Sequence, residues 1–203
     1  LLPLLNIVAT SFSSERAIMS NEVGIWPVEF TTYTYGQVVE RTPIIRAMKN
    51  TVVLTLVGTL ICMIMTILGA YALSKKRLVG RNVFLMMITF TMLVNAGIIP
   101  NFLLIKDLKL MNTYWAIWLP GAISTYNMIV MKTFFSAIPE SLEESAFIDG
   151  ANDLVIMVRV ILPLSMPAIA TITLFYAVGY WNSYFNVMMY VNSSSLKVLQ
   201  QVL

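Results

Sequence analysis

Long uncharged apolar stretches alternate with short polar ones along this chain. Residues 51–74 carry no charge, and a helix rising about 1.5 Å per residue makes them long enough to cross about 30 Å of hydrocarbon. Residues 83–105 form a second uncharged stretch, in which Asn95, Gly97 and Pro100 predict a kink or an unwound turn near the outer end. Residues 114–135 form a third stretch, with Pro120 and Gly121 inside it and Lys132 placed to reach the interface from its inner end. Residues 166–191 make the fourth complete span. Residues 1–12 are apolar but too short to cross, and they read as the second half of a helix whose beginning is missing. The pattern predicts an all-α fold, a polytopic transmembrane helix bundle.

The polar connections set the orientation. Residues 75–82 hold Lys75, Lys76, Arg77 and Arg81 and no acid, which marks the cytoplasmic side. By alternation, residues 136–165 also lie inside, and residues 13–49, 106–113 and 192–203 lie outside. Residues 13–49 mix four acids with four bases and include Gly24, Trp26, Pro27 and Pro43, the composition of a surface loop with short amphipathic pieces. No internal repeat divides the chain, so residues 1–203 read as one membrane domain.

Composition supports this class and narrows the chemistry. Of the 203 residues, 58% are hydrophobic and 11% charged, against about 25% charged in soluble domains. The net charge of +3 points to neither nucleic acid nor a polybasic anchor. Histidine is absent and Cys62 stands alone in an apolar run, which leaves no disulfide framework and no metal cluster. No acid–base pair is available for an enzyme, and no Gly-rich phosphate loop for a nucleotide.

One inner segment stands apart. Residues 136–158 hold Glu140, Glu143, Glu144, Asp149 and Asp153 and no Lys or Arg. A helix lying on an anionic leaflet would be basic on its polar face. This one is expected to project toward a protein partner. Pro139 suits a first turn, and Ser141 with Glu144 matches a capping box. Gly150 is a natural terminator, Asn152 or Asp153 is placed to cap a second short helix, and Pro163 to end it. The expectation is helix, sharp turn, helix.

Here the sequence resembles the permease subunits of binding-protein-dependent ABC importers, which carry an "EAA" loop: Glu-Ala-Ala, three residues, Gly, nine residues, then Ile-x-Leu-Pro. The corresponding residues are Glu144-Ser145-Ala146, Gly150 and Val160-Ile161-Leu162-Pro163, with matching spacing and two mild departures, Ser145 and Val160. Asp149-Gly150-Ala151 is typical of the sugar-transporting branch, and the chain looks similar to oligosaccharide and polysaccharide permeases related to the maltose-type systems. The resemblance implies a type I ABC importer permease in a bacterial plasma (inner) membrane, with residues 136–165 forming a cytoplasmic coupling helix seated in a groove of an ATPase. Glu143, Glu144, Ser145, Ala146, Asp149, Gly150, Ala151, Leu162 and Pro163 would make that contact. The implied partners are a second homologous permease, two ATPase subunits that bind ATP and Mg, an extracytoplasmic solute-binding protein, membrane lipid and a carbohydrate; no nucleic acid and no cofactor in this chain are expected. Such permeases have six spans. Four and a fragment are counted, so the expectation is a chain incomplete at both ends, with part of the first span missing and the sixth absent.

Polar groups inside spans are costly and face a cavity or a neighbouring helix. Asn95, Tyr126, Asn127, Trp181, Asn182, Tyr184 and Asn186 are therefore candidates for the substrate path, aromatic faces meeting sugar rings and amides their hydroxyls. The alternative is that the amides hold helices together and the aromatics form an interfacial belt. The competing function is an ion-coupled secondary transporter subunit. Such proteins commonly place Asp, Glu or His within spans, and the complete spans here hold none.

Overall fold

The computed structural model describes residues 2–94 and 96–202. The described residues form helices joined by turns and short loops, with no strand among them. The organising element is α4 (Ile44–Ser74), 31 residues long. Before it come α1 (Leu2–Ser11), α2 (Glu15–Met19) and α3 (Tyr33–Arg41). The expected start of the first complete span at residue 51 is seven residues late, because α4 begins just after Pro43. Its first two turns carry Arg46 and Lys49 on exposed positions, so a charged extension precedes the apolar length.

The second expected span is not one straight helix. It divides into α5 (Arg81–Leu93) and α6 (Ile98–Asp107), whose axes diverge by 113°. Gly97 has φ +84° and ψ 179°, a combination that side chains oppose. Pro100 then sits in the first turn of α6, where its missing N–H costs nothing. The third expected span divides as well, into α7 (Trp115–Trp118) and α8 (Thr125–Ser136). Pro120 breaks the ladder, and Ser124 restarts it by accepting the Asn127 N–H at 3.4 Å. The fourth expected span breaks after Trp181.

The inner segment contributes α9 (Glu140–Ile148), α10 (Asp153–Ile156), a π-helical turn (Met157–Ile161) and α11 (Leu162–Leu164). Beyond lie α12 (Met166–Trp181), α13 (Tyr184–Tyr190), a 3-10 turn (Ser194–Leu196) and α14 (Leu199–Val202). Of the single helices among the described residues, α4 is long and apolar enough to cross a membrane; the pair α5 and α6, and residues 153–164 with α12, qualify only as bent spans.

The core forms where α4 packs against α8 and α12. Small residues line the contact, with Gly58, Cys62, Thr66 and Ala70 spaced one turn apart. The Tyr180 ring lies against Gly58 so closely that a Cβ there would stand 2.7 Å from Cζ. Trp118 Nε1 donates to the Leu54 carbonyl at 3.1 Å, tying α7 to α4.

The two ends of the bundle are each stitched together. At one end, Asn50 Nδ2 donates to the Ser195 and Lys197 carbonyls, both at 2.9 Å. There too Asn112 Oδ1 accepts the Asn192 and Ser193 N–H groups at 2.7 and 3.2 Å. At the other end, the 75–77 loop meets α9 and α10. This grouping agrees with the expected alternation of sides.

Candidate functional site: the inner helix–turn–helix and the cavities above it

The inner segment folds as a helix, a sharp turn and a second helix. Pro139 takes the N-cap position, with φ −57° and ψ 130°. The expected capping box does not form. It would need Ser141 at the N-cap, but the helix starts at Glu140 and puts Ser141 inside the first turn, where no side chain caps the helix. Its carbonyl instead accepts the Ser145 hydroxyl at 2.8 Å. Glu140 and Glu143 still favour this end by lying near the positive pole of the helix dipole.

The turn matches expectation in detail. Gly150 has φ +81°. The Gly150 N–H donates to the Phe147 carbonyl and the Ala151 N–H to the Ala146 carbonyl, both at 3.0 Å. That pair of bonds is a Schellman motif, and its left-handed residue suits glycine. Asn152 then caps α10, its Oδ1 accepting the Val155 N–H at 2.9 Å. Pro163 does not end the second helix, which runs to Leu164 before the chain turns by 85° into α12. A proline ring clashes with the carbonyl four residues back. The chain answers by widening: the Leu162 N–H reaches back five residues to the Met157 carbonyl in the π turn.

Helix α9 lies on the surface, with no fully buried residue. Glu143 and Ala146 are partly buried against the body of the protein. Glu144, Ser145, Ile148, Asp149 and Gly150 are exposed, Ile148 at 86%, and Glu144 also lines an open pocket with Lys75, Lys76, Arg77 and Arg81. The acids also separate. Glu143 pairs with Lys75, Glu140 with Lys76 at 2.9 Å, and Asp153 with Arg77. Glu144 and Asp149, both exposed, have no such pair among the described residues. The segment is therefore less bare electrically than its sequence implies, because the basic loop neutralises three of its five acids. Glu143 is largely covered where it meets Lys75. Ala146, Asp149, Gly150 and Ala151 line an open notch of 410 Å³ behind the turn, with Arg159 on its far wall. Leu162 is half-buried and Pro163 exposed.

Between the spans lie two further cavities. The larger, 350 Å³, is walled by Tyr176, Tyr180 and Tyr190, with the amides of Asn101 and Asn186 on it and Phe175 at its edge. The smaller, 160 Å³, includes Tyr126, Asn127 and again Phe175. No Lys, Arg, Asp or Glu lines either cavity. The hydroxyl of Tyr180 lies 3.2 Å from Cys62 Sγ, and that of Tyr176 is 2.8 Å from Thr66 Oγ1 while accepting the Ser124 N–H at 3.1 Å.

Residues 63–199 match the family described as "Binding-protein-dependent transport system inner membrane component". The chain belongs to this family. The permease is 43% identical over 202 residues to the polygalacturonan/rhamnogalacturonan transport system permease protein YtcP of Bacillus subtilis (strain 168), covering 100% of this chain and 71% of that one. It is 42% identical over 203 residues to Protein LplC of the same organism, covering 100% and 69%. Its fold superposes with a TM-score of 0.94 on a chain from the crystal structure of a bacterial ABC transporter that imports the acidic polysaccharide alginate. That match has 40% identity and covers 98% of this chain and 71% of the other. The permease is thus an inner-membrane transport component and not an enzyme, with an all-α type I permease fold. As a permease subunit it carries no cofactor of its own, and its family implies a partner permease, ATPase subunits and a solute-binding protein.

The permease does not gather all seven path candidates into one site. Asn186 lines the larger cavity, and Tyr126 and Asn127 the smaller. Trp181, Asn182 and Tyr184 line neither. Asn182 is held by its own helix and by the tail: Nδ2 donates to the Val178 carbonyl at 2.9 Å and Oδ1 accepts from Gln200 Nε2 at 3.0 Å. Asn95 lies outside the described residues. The sequence reading does not single out Asn101, Tyr176 and Tyr180, which line the larger cavity. The signal was there: Tyr176 and Tyr180 are one turn apart on α12, and Asn101 is an amide within an apolar run like Asn95.

Proposed function

We propose that this permease forms half of the translocation pathway of an ATP-driven importer for an oligo- or polysaccharide, and that it docks an ATPase subunit on the outward face of residues 136–165. The observation that carries the docking reading is the face itself. A Schellman turn closes a short helix that leaves Glu144, Ser145, Ile148 and Asp149 exposed, so that two acids without an ion pair among the described residues stand near an exposed aliphatic side chain. An acidic, apolar ridge fits a groove with basic or donor groups at one end and apolar walls. Glu144 and Ile148 engage that groove, the notch lined by Ala146, Asp149, Gly150 and Ala151 receives a side chain from it, and Leu162 and Pro163 set the angle of the second helix. Glu143 supports the ridge from behind.

The carbohydrate reading rests on the relatives together with the cavities. Aromatic walls offer ring faces to a pyranose, and Asn101 and Asn186 offer amide hydrogen bonds to its hydroxyls. The path is completed by a second homologous permease across the pore. Two ATPase subunits bind ATP and Mg below, a solute-binding protein delivers the substrate at the outer end, and lipid covers the outward apolar faces. The chain acts throughout as one membrane domain.

Reconstitution tests both readings. In proteoliposomes carrying both permeases and the ATPase, uptake of a labelled oligogalacturonide should require internal ATP and external binding protein. Uptake sustained by an ion gradient without ATP would favour the ion-coupled alternative. ATP-dependent uptake confined to solutes other than carbohydrates would remove the sugar reading alone.

A further inference from the structure

We infer that the basic loop at residues 75–77 is the contact through which movement of the docking loop reaches α4, with Lys75 as its central positioning residue. The inference rests on the docking reading above and extends it from the surface into the bundle.

The connectivity poses the problem. The docking loop is joined by the chain to α8 on one side and, through residues 153–164, to α12 on the other. Helix α4, at the centre of the core, has no such link. Whatever moves α4 together with the docking loop must cross contacts between side chains. Beside the packing of α4 on α8 and α12, the ion pairs that run directly between the docking loop and the end of α4 fall in three consecutive residues. Lys75 pairs with Glu143, Lys76 with Glu140, and Arg77 with Asp153. Lys75 also stands over the Tyr71 ring, 4.1 Å from its centroid, and Arg77 over the Phe147 ring at 4.9 Å. The Tyr71 hydroxyl donates to the Asp153 carbonyl at 3.1 Å. Both halves of the docking loop, α9 and α10, are therefore gripped from the end of α4.

The three pairs are not equal. The side chains of Lys76, Glu140, Arg77 and Asp153 are 55–78% exposed, so solvent screens those pairs. Lys75 and Glu143 are 13% and 15% exposed, and separating them leaves two poorly hydrated charges. The loop is also held firmly to its own helix, since Arg81 Nε donates to the Leu73 carbonyl at 2.7 Å. A basic loop that served only to orient the chain would need charge but no particular partner. Here each of the three bases has its own acid.

At the other end of this lever are the walls of the larger cavity. Cys62 and Thr66, one turn apart on α4, hold the hydroxyls of Tyr180 and Tyr176. A shift of α4 against α12 breaks those two contacts, frees the Tyr180 ring at the cavity wall and leaves the Tyr176 hydroxyl held by the Ser124 N–H alone. The contact between α4 and α12 is the two-state element that the docking loop biases.

The test uses the complete importer in proteoliposomes, with three readouts: ATPase subunits retained on purification, ATP hydrolysis stimulated by binding protein, and solute transported per ATP. Lys75→Glu should retain the ATPase and hydrolyse ATP, while transport per ATP falls on the order of 2- to 30-fold, the range of coupling effects within proteins. Lys75→Gln should fall between it and the unmodified protein. Exchanging the charges, Lys75→Glu with Glu143→Lys, should restore the ratio to within about twofold of the unmodified importer. A normal ratio in Lys75→Glu, or an exchange no better than the single change, would overturn the inference. So would loss of the ATPase or of the permease pair from both single variants, which would make Lys75 a docking or packing residue. Failure of the docking reading shows separately, as an ATPase that stays bound when Ile148 is replaced by Asp.

Discussion

Replacing Gly58 by Ala adds one methyl group at the tightest contact between α4 and α12. Its Cβ would stand 2.7 Å from Cζ of Tyr180 and 2.8 and 2.9 Å from the two Cε atoms, so the ring faces it squarely. Ordinary carbon contacts need about 3.5–4.0 Å, which requires a ring shift approaching 1 Å. The shift must carry the ring toward the adjoining cavity and pull its hydroxyl from the 3.2 Å contact with Cys62 Sγ. Overpacking of this kind costs about 1–3 kcal/mol, and losing the hydroxyl contact adds roughly 1 kcal/mol. Glycine's own helix penalty offsets about 0.5–1 kcal/mol of that. The expected net is a loss of roughly 1–3 kcal/mol, read as earlier thermal unfolding of the detergent-solubilised permease pair. Gly36→Ala in α3 is the control, because nothing lies within 4 Å of its Cβ position; it should be neutral or slightly stabilising. Equal stability of Gly58→Ala and Gly36→Ala would refute the packing argument.

Other changes probe the turn and the path. Gly150→Ala forces a side chain into the left-handed region at φ +81°, costing about 1–2 kcal/mol locally; it should loosen the ATPase, measured by its retention on purification, while the permease pair stays assembled. Asn186→Ala should raise the KM for uptake several-fold with assembly intact, because an amide leaves the larger cavity. Asn182→Ala should leave the KM unchanged and weaken the tail, seen as faster proteolysis beyond residue 190, because its amide bonds Val178 and Gln200.

Much of the fold and the turn of the inner segment are readable from the sequence, and the failures have physical causes. Hydropathy reports how apolar a stretch is and not which way it runs. Residues 83–105 qualify by composition, yet the backbone at Gly97 turns α6 away from α5 by 113°. The break after Trp181 was unmarked, since neither Gly nor Pro stands at Asn182 or Ser183. In the docking loop, Gly150 and Asn152 are readable because each acts through bonds to near neighbours in the chain. The capping box was misread because Ser141 and Glu144 have the right spacing but Pro139 starts the helix too early for it. The ion pairs could not be read at all: Lys75 and Glu143 are separated by 68 positions, and Arg77 and Asp153 by 76. Their omission made the acidic segment look more exposed electrically than it is.

Site-directed crosslinking at Ile148 tests the central claim most directly. Ile148 is 86% exposed on the proposed docking face, and Cys62, the sole native thiol of the chain, is fully buried. Ile148→Cys carrying a short crosslinker, in the assembled importer, should join the permease to one ATPase subunit in high yield, and ATP should change that yield. An importer that still takes up solute with ATP, yet never crosslinks through residue 148 to its ATPase, would contradict the account.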